Sequence, residues 1–279
     1  MKGSIFNVVN VLEQKGELDL NRFILGIIFI PFLGAAGIAI FYWWRLSENG
    51  ISQNPEQWGQ LGDFFGGLLN PTFAFFSLLA LCYTLALQFV QSRKVAEFNA
   101  IQKFESFLFE LIRMHRDNLN GIDLWNGETK KETRGRDCFV VFLKWISKNY
   151  KDVEVSVPVM NRLEMAYRKF YDDDQKKVEV GHYFRNLYHV FKFIDESPMF
   201  DESSKARYAK VVRAQLSTPE LALLFFNGMY EKGKNFKEYI ERYTLLLDLT
   251  PRDLRIKDVS MDDMLSIYAK SAFEDSNIT

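Results

Sequence analysis

Residues 23–44, FILGIIFIPFLGAAGIAIFYWW, carry no charged side chain across 22 consecutive positions. A helix of about 20 apolar residues spans the roughly 30 Å hydrocarbon core of a bilayer, so this run predicts a transmembrane helix. Arg22 and Arg45 bracket it, and Tyr42, Trp43 and Trp44 supply the aromatic belt of a headgroup interface. A cleaved signal peptide is the competing reading. It fits poorly, because the run is long, follows a mixed-charge leader at residues 1–22 and lacks a small-residue cleavage site after Trp44. Pro31, near the middle, predicts a slight kink, which lipid tolerates where neighbours satisfy the freed carbonyl.

The bulk composition hides this segment. Over all 279 residues the chain is 48% hydrophobic and 25% charged, with a net charge of −1, the figures of an ordinary soluble protein. Residues 1–90, however, hold four Lys/Arg and six Asp/Glu, whereas residues 91–279 hold 31 and 30. The near-zero net charge is thus a cancellation between an apolar segment and a very polar domain. Neither part has the single-sign field that a general nucleic-acid coat needs, so nucleic acid is not expected as a partner.

A second apolar run, residues 64–90, is punctuated by Asn70-Pro71, which reads as an N-cap followed by proline at the first helical position. A helix over 71–90 matches one bilayer crossing. Upstream, Asn54-Pro55-Glu56 repeats the start signal, and Trp58, Leu61, Phe65 and Leu68 follow at helical spacing, predicting a short interfacial or re-entrant helix within an outer loop at 45–70. A single helix kinked at Pro71 is the alternative. Lys2, Lys15 and Arg22 precede the first span and Arg93-Lys94 follow the second, so both termini are expected on the cytoplasmic side.

Gly34 and Gly37 in the first span, and Gly62 and Gly66 ahead of Asn70 and Pro71, are candidate positions for close helix packing. That packing is either internal to the hairpin or between copies in a homo-oligomer, with Asn70, Ser77 and Thr84 facing one another. No ring of charged side chains is available for an ion filter, which argues against a selective channel of ordinary design.

From Thr72 to Asn120 there is neither proline nor glycine, and Val95, Phe98, Ile101, Phe104, Leu108, Leu111 and Met114 recur every three or four residues. The second span is therefore expected to continue as one helix to about residue 120, some 75 Å at 1.5 Å per residue, coupling a cytoplasmic domain to the membrane. Further helices are predicted over 137–150, 159–171, 180–196, 204–216, 221–230, 236–249 and 261–273. Ser217-Thr-Pro-Glu220 is a capping box. Polar linkers are expected at 121–134, 172–177 and 231–235, and only residues 153–157, VEVSV, alternate like a weak strand. The fold class is all-α: a two-span transmembrane hairpin, a cytoplasmic helical domain over 91–250 and a C-terminal tail at 251–279. The aromatic excess, 15% of residues, reads mainly as core. Cys82 and Cys138 fit two unpaired thiols in a reducing compartment.

Catalytic signatures are largely absent. Lys232-Gly-Lys234 lacks the rest of a phosphate loop, no Gly-x-Ser-x-Gly elbow occurs, and no His/Cys set has zinc spacing, so neither cofactor nor metal is expected. His115-Arg116-Asp117-Asn118 shares three letters with the kinase catalytic loop but has none of its partner motifs. Arg185 and His189 share a helical face, where a general acid or base and an anion-stabilising cation could act together. The pair resembles the Arg-Asn…His motif of HEPN-type ribonucleases, although the two residues stand closer than that family usually places them. A buried histidine in a hydrogen-bonded network is the alternative.

Five blocks carry a broader resemblance: Trp58-Gly-Gln-Leu-Gly-Asp-Phe-Phe-Gly-Gly-Leu-Leu-Asn-Pro71, Met114-His-Arg-Asp-Asn118, Gly135-Arg-Asp-Cys138, Tyr183-Phe-Arg-Asn-Leu-Tyr-His189, and Val212-Arg-Ala-Gln-Leu-Ser217 leading into Glu220-Leu-Ala-Leu-Leu-Phe-Phe-Asn227. Over roughly residues 55–250 the chain resembles the bacterial phage abortive infection proteins of the lactococcal AbiC-like family. The resemblance implies an antiphage effector of the bacterial inner membrane that arrests or kills the infected cell, with the lipid bilayer and a phage-derived trigger or defence partner as its partners. It carries over no catalytic residues, so enzymatic activity stays an open question on which the absence of catalytic motifs leans towards no. His115, Arg116, Arg136, Asp137, Arg185, His189, Arg213 and Gln215 are the polar candidates in these blocks, either lining an anion-sensing pocket or forming an internal network. A membrane-tethered ribonuclease and a non-catalytic scaffold are the alternative functions.

Overall fold

The computed structural model describes residue 26, residues 29–30, 32–44, 50, 53–126 and 130–274. The leader at 1–22, Arg22, Arg45 and the start of the first apolar run lie outside the described residues. The chain divides into two compact units, Met1–Asn99 and Ala100–Thr279. It is mostly helical, with one small two-stranded sheet.

In the first unit, a short apolar helix α1, Phe32–Trp44, precedes α2, Pro55–Asn120, whose later residues belong to the second unit. Two ring pairs join them: Phe32 meets Phe73 at 5.7 Å and Tyr42 meets Phe65 at 5.8 Å. Since 32 pairs with 73 and 42 with 65, the two helices run antiparallel. By length and composition α2 can cross a membrane; its 18-residue apolar window has mean hydropathy 2.0 and none of it is buried. Among the described residues it is the one helix that meets this test, and α1 as described is shorter.

The expected break before Pro71 is absent. Asn54 caps the helix instead, its Oδ1 accepting from Glu56 N at 3.0 Å, and residues 55–70 form the opening turns of α2 and no separate loop helix. Proline inside a helix removes one N–H and crowds the carbonyl four residues back. Here that carbonyl belongs to Gly67, which has open space where a side chain would stand. The neighbouring Leu68 carbonyl gains a hydroxyl donor from Thr72 Oγ1 at 2.7 Å, and Thr84 Oγ1 reaches Leu81 O at 2.8 Å in the same manner. Such side-chain donors keep an exposed helix satisfied without water.

The second unit begins where α2 starts to bury side chains: Phe104, Leu108, His115 and Leu119. The strands β1, Asp123–Asn126, and β2, Lys131–Arg134, pair antiparallel, with Leu124 opposite Thr133 and Trp125 opposite Glu132. This hairpin replaces the expected structureless linker; Gly135, at φ +57°, closes it by donating from its N–H to Ile122 O at 2.7 Å. Residues 153–157, in contrast, form turns, with Val157 N bonded to Glu154 O at 3.2 Å, and not a strand.

Helices α3 (Asp137–Lys151), α4 (Val159–Tyr171), α5 (Asp174–Asp195), α6 (Glu202–Arg213), α7 (Thr218–Met229), α8 (Lys234–Arg242) and α9 (Met261–Ile267) complete the unit. In α3 the buried residues Cys138, Phe139, Phe142, Leu143, Ile146 and Tyr150 lie three or four apart on one stripe. Helix α7 is central: Ala222 to Gly228 are all buried. Its close neighbours need glycine, since a Cβ on Gly228 would overlap the Tyr268 hydroxyl and one on Gly233 the Asn227 carbonyl. Helix α8 stops at Arg242, short of the expected 249, and the chain turns through Thr244 and Asp248, both at positive φ.

Residues 251–274, expected as a tail outside the domain, are part of its core. Leu254, Met264, Tyr268 and Phe273 are buried. Tyr268 donates its hydroxyl to Phe225 O at 2.7 Å, and Asp258 accepts from Tyr150 at 2.8 Å and from Arg162 at 2.9 Å. The segment is short of long apolar runs and gains its burial by capped single turns, Thr250 with Asp253 and Ser260 with Asp263.

Candidate functional site

Four of the sequence blocks meet at one buried polar cluster in the second unit. Its centre is Glu220, 1% exposed, on the first turn of α7. The capping box that starts α7 makes Ser217 N donate to Glu220 Oε2 at 2.8 Å, with the Ser217 hydroxyl on the same oxygen. Arg136, just ahead of α3, brings Nε to Oε2 at 2.9 Å, and Tyr183 of α5 donates to Oε1 at 2.9 Å. Four polar groups thus converge on one carboxyl. Arg136 also donates through Nη2 to Gln215 O at 2.9 Å, so one guanidinium holds both ends of the turn into α7.

His115 of α2 completes the cluster, its ring 4.6 Å from that of Tyr183. It is 6% exposed, and its two nitrogens, like Asn186 Oδ1 of α5, meet no hydrogen-bond partner among the described residues. Burial pushes its pKa down to about 4, with the Arg136 charge adding to the shift while the Glu220 charge opposes it. The imidazole is therefore neutral at physiological pH. Burial, then the Glu220 charge, pushes the Tyr183 phenol well above its ordinary value. With its carboxyl saturated, its phenol locked as a donor and its imidazole poorly basic, the cluster is a polar knot joining α2, α3, α5 and α7 and a weak candidate for proton-transfer chemistry.

The remaining predicted residues lie elsewhere. Arg213 donates to Thr244 O at 2.8 Å and fixes the turn after α8. Arg116 and Asp137 are exposed, Asp137 in the first turn of α3. Arg185 and His189 are both exposed on α5, where Arg185 Nη2 donates to His182 Nδ1 at 3.2 Å and His189 sets its ring against Tyr188. In the first unit, Gly34, Gly37 and Gly62 have open space at the Cβ position, and Gly66 has only the Asn70 amide at 3.8 Å. Aromatic rings join α1 to α2 there, and the glycine faces are left exposed. No group of three or more metal-ligating side chains occurs among the described residues.

Tyr183, Asn186, Ser217 and Glu220 were not singled out as site residues by the sequence. The capping-box spacing marked Ser217 and Glu220 as a helix start, but the second use of that carboxyl depends on Arg136, more than 80 positions earlier.

Residues 175–254, from α5 through the turn after α8, match the family model described as "Putative phage abortive infection protein". The match supports the AbiC-like resemblance and includes Tyr183, Asn186, Gln215, Ser217 and Glu220. No curated protein and no solved structure matches the chain significantly.

Proposed function

We propose that the chain is a membrane-anchored effector of abortive infection: a cytoplasmic helical domain responds to a product of phage infection, and the membrane segment executes damage or growth arrest. The family match supports the defence role. The observation that carries the mechanism is the continuity of α2. One unbroken helix holds an exposed apolar stretch of membrane-spanning length and, in its later turns, Phe104, Leu108, His115 and Leu119 buried in the domain core. A helix shared in this way is the route by which a rearrangement in the domain would reach the membrane segment, because packed interfaces switch between discrete arrangements.

In this reading the protein sits in the bacterial inner membrane with both termini cytoplasmic, following the excess of Lys and Arg outside the spans. The Glu220 knot then serves as the joint between α2 and the segment matched to the family. Infected cells carrying the protein are expected to lose membrane potential before phage release, read with a voltage-sensitive dye. Retained potential throughout growth arrest contradicts membrane execution. If His189→Ala abolishes protection while potential is retained, a ribonuclease using Arg185 and His189 replaces it.

A further inference from the structure

The continuity of α2 through Pro71 places residues in line that a separate loop helix would have scattered. Asp63, Asn70, Ser77, Thr84 and Gln91 follow one another at strict seven-residue spacing, and all five are exposed. A straight helix drifts by about 20° per heptad, so a strict repeat of this kind stays on one seam when helices supercoil around each other. The face of α2 that α1 covers lies beside this line and does not include it. Phe65, which meets α1, and half-buried Leu69 and Phe76 lie a quarter-turn or more from the polar line at 100° per residue, while Phe73, which also meets α1, and Leu87 lie about 40–60° from it, so that α1 borders the line and leaves it exposed.

Within the line the side chains from 70 to 91 share one property. Amides and hydroxyls are donors and acceptors at once, so each can pair with its own copy across a symmetry axis, which a purely acidic or basic residue cannot do. Lipid itself offers such groups no partner beyond the helix's own carbonyls, which Thr84 uses, and polar side chains in hydrocarbon are accordingly found between helices or along water-filled paths. The occupant that satisfies every position in register is a second copy of α2. Asp63, two turns before Asn70, would then recur around the mouth of the assembly as a ring of carboxylates.

We propose, building on the membrane-anchoring reading above, that copies of this chain assemble through the Asp63–Gln91 line of α2, which lines a polar path for small monovalent cations across the bilayer. The ring that the sequence alone did not offer arises because Asp63 belongs to α2 and not to a loop. Execution by the membrane segment is then cation leakage.

The test uses the full chain with Cys82→Ser, reconstituted in phosphatidylethanolamine–phosphatidylglycerol vesicles. Thiol cross-linking of Ser77→Cys and Thr84→Cys is expected to give covalent oligomers, whereas Leu78→Cys and Phe89→Cys, also exposed but off the line, remain monomeric. Potassium flux is expected to exceed chloride flux, and Asp63→Asn to remove that preference. Extraction of the protein from the vesicles by alkaline carbonate overturns the anchoring reading and this proposal together. A carbonate-resistant protein that cross-links equally at 78 and 89, or at none of the four positions, overturns the seam alone. Cross-links at 77 and 84 without potassium flux overturn the cation path.

Discussion

The two portions of α2 differ in what holds them. Before Asn99 the helix buries no residue and meets its hydroxyls with its own carbonyls, as Thr72 and Thr84 do. From Phe104 onward it is clamped by rings and polar contacts: Phe104 stacks on Phe193 at 4.7 Å, Tyr208 donates to Glu105 at 2.8 Å, and His115 rests on Tyr183. One regular backbone thus carries an exposed apolar portion and a buried one. The difference teaches that the helix backbone is the same in both portions, and that its outward side chains alone decide whether a portion stays exposed or joins a protein core.

The sharpest way to break this contrast is at Glu220. Glu220→Ala strands the buried Tyr183 hydroxyl and the Ser217 donors while half-exposed Arg136 turns to water, and should destabilise the domain by about 2–4 kcal/mol, read by denaturant unfolding of the full chain in detergent. A loss below about 1 kcal/mol would mean that the knot does not hold α2 to the domain. Acid should separate the portions next. His115 titrates near pH 4 when folded and near 6.5 when unfolded, so the unfolded chain takes up the proton first. Stability is then unaffected above pH 6.5, falls as pH drops through that value and levels off below about 4, for a total near 3 kcal/mol. His115→Gln should flatten the pH dependence in that window, and an unchanged slope would assign it to other groups. Gly233→Ala, forced against the Asn227 carbonyl, should cost about 1–3 kcal/mol in the same unfolding assay. At the small end, Arg185→Ala and Leu78→Ala should each alter domain stability by less than about 0.5 kcal/mol, because both side chains are exposed.

Local physics made parts of this fold readable. Helix α4 occupies the Val159–Tyr171 span its periodicity predicts, and α2 ends at Asn120, where Gly121 follows. The residues at Asn70-Pro71 misled because an N-cap signal is a local preference, and Gly67 with the Thr72 hydroxyl lets the helix run on. The hairpin over 123–134 was hidden by its brevity. The packing of 251–274 was hidden because its buried residues, Leu254 and Tyr268 among them, are isolated between polar turns and find their partners on distant helices. The site was legible as blocks. Arg136, Gln215 and His115 came from three of them, but nothing local announced that Glu220 would gather their contacts or that Arg185 would turn to His182.

The claim that α2 carries the response from domain to membrane can be tested directly by measuring membrane potential in single infected cells. Two proteins are compared: the full chain, and a variant with Ala96, Glu97, Phe98 and Asn99 all changed to glycine, which weakens the helix by up to about 1 kcal/mol per position just before the unit boundary. The account predicts that the intact chain depolarises infected cells and that the glycine variant, inserted to the same level, leaves them polarised. Equal depolarisation by both proteins, or none by the intact chain, would contradict it.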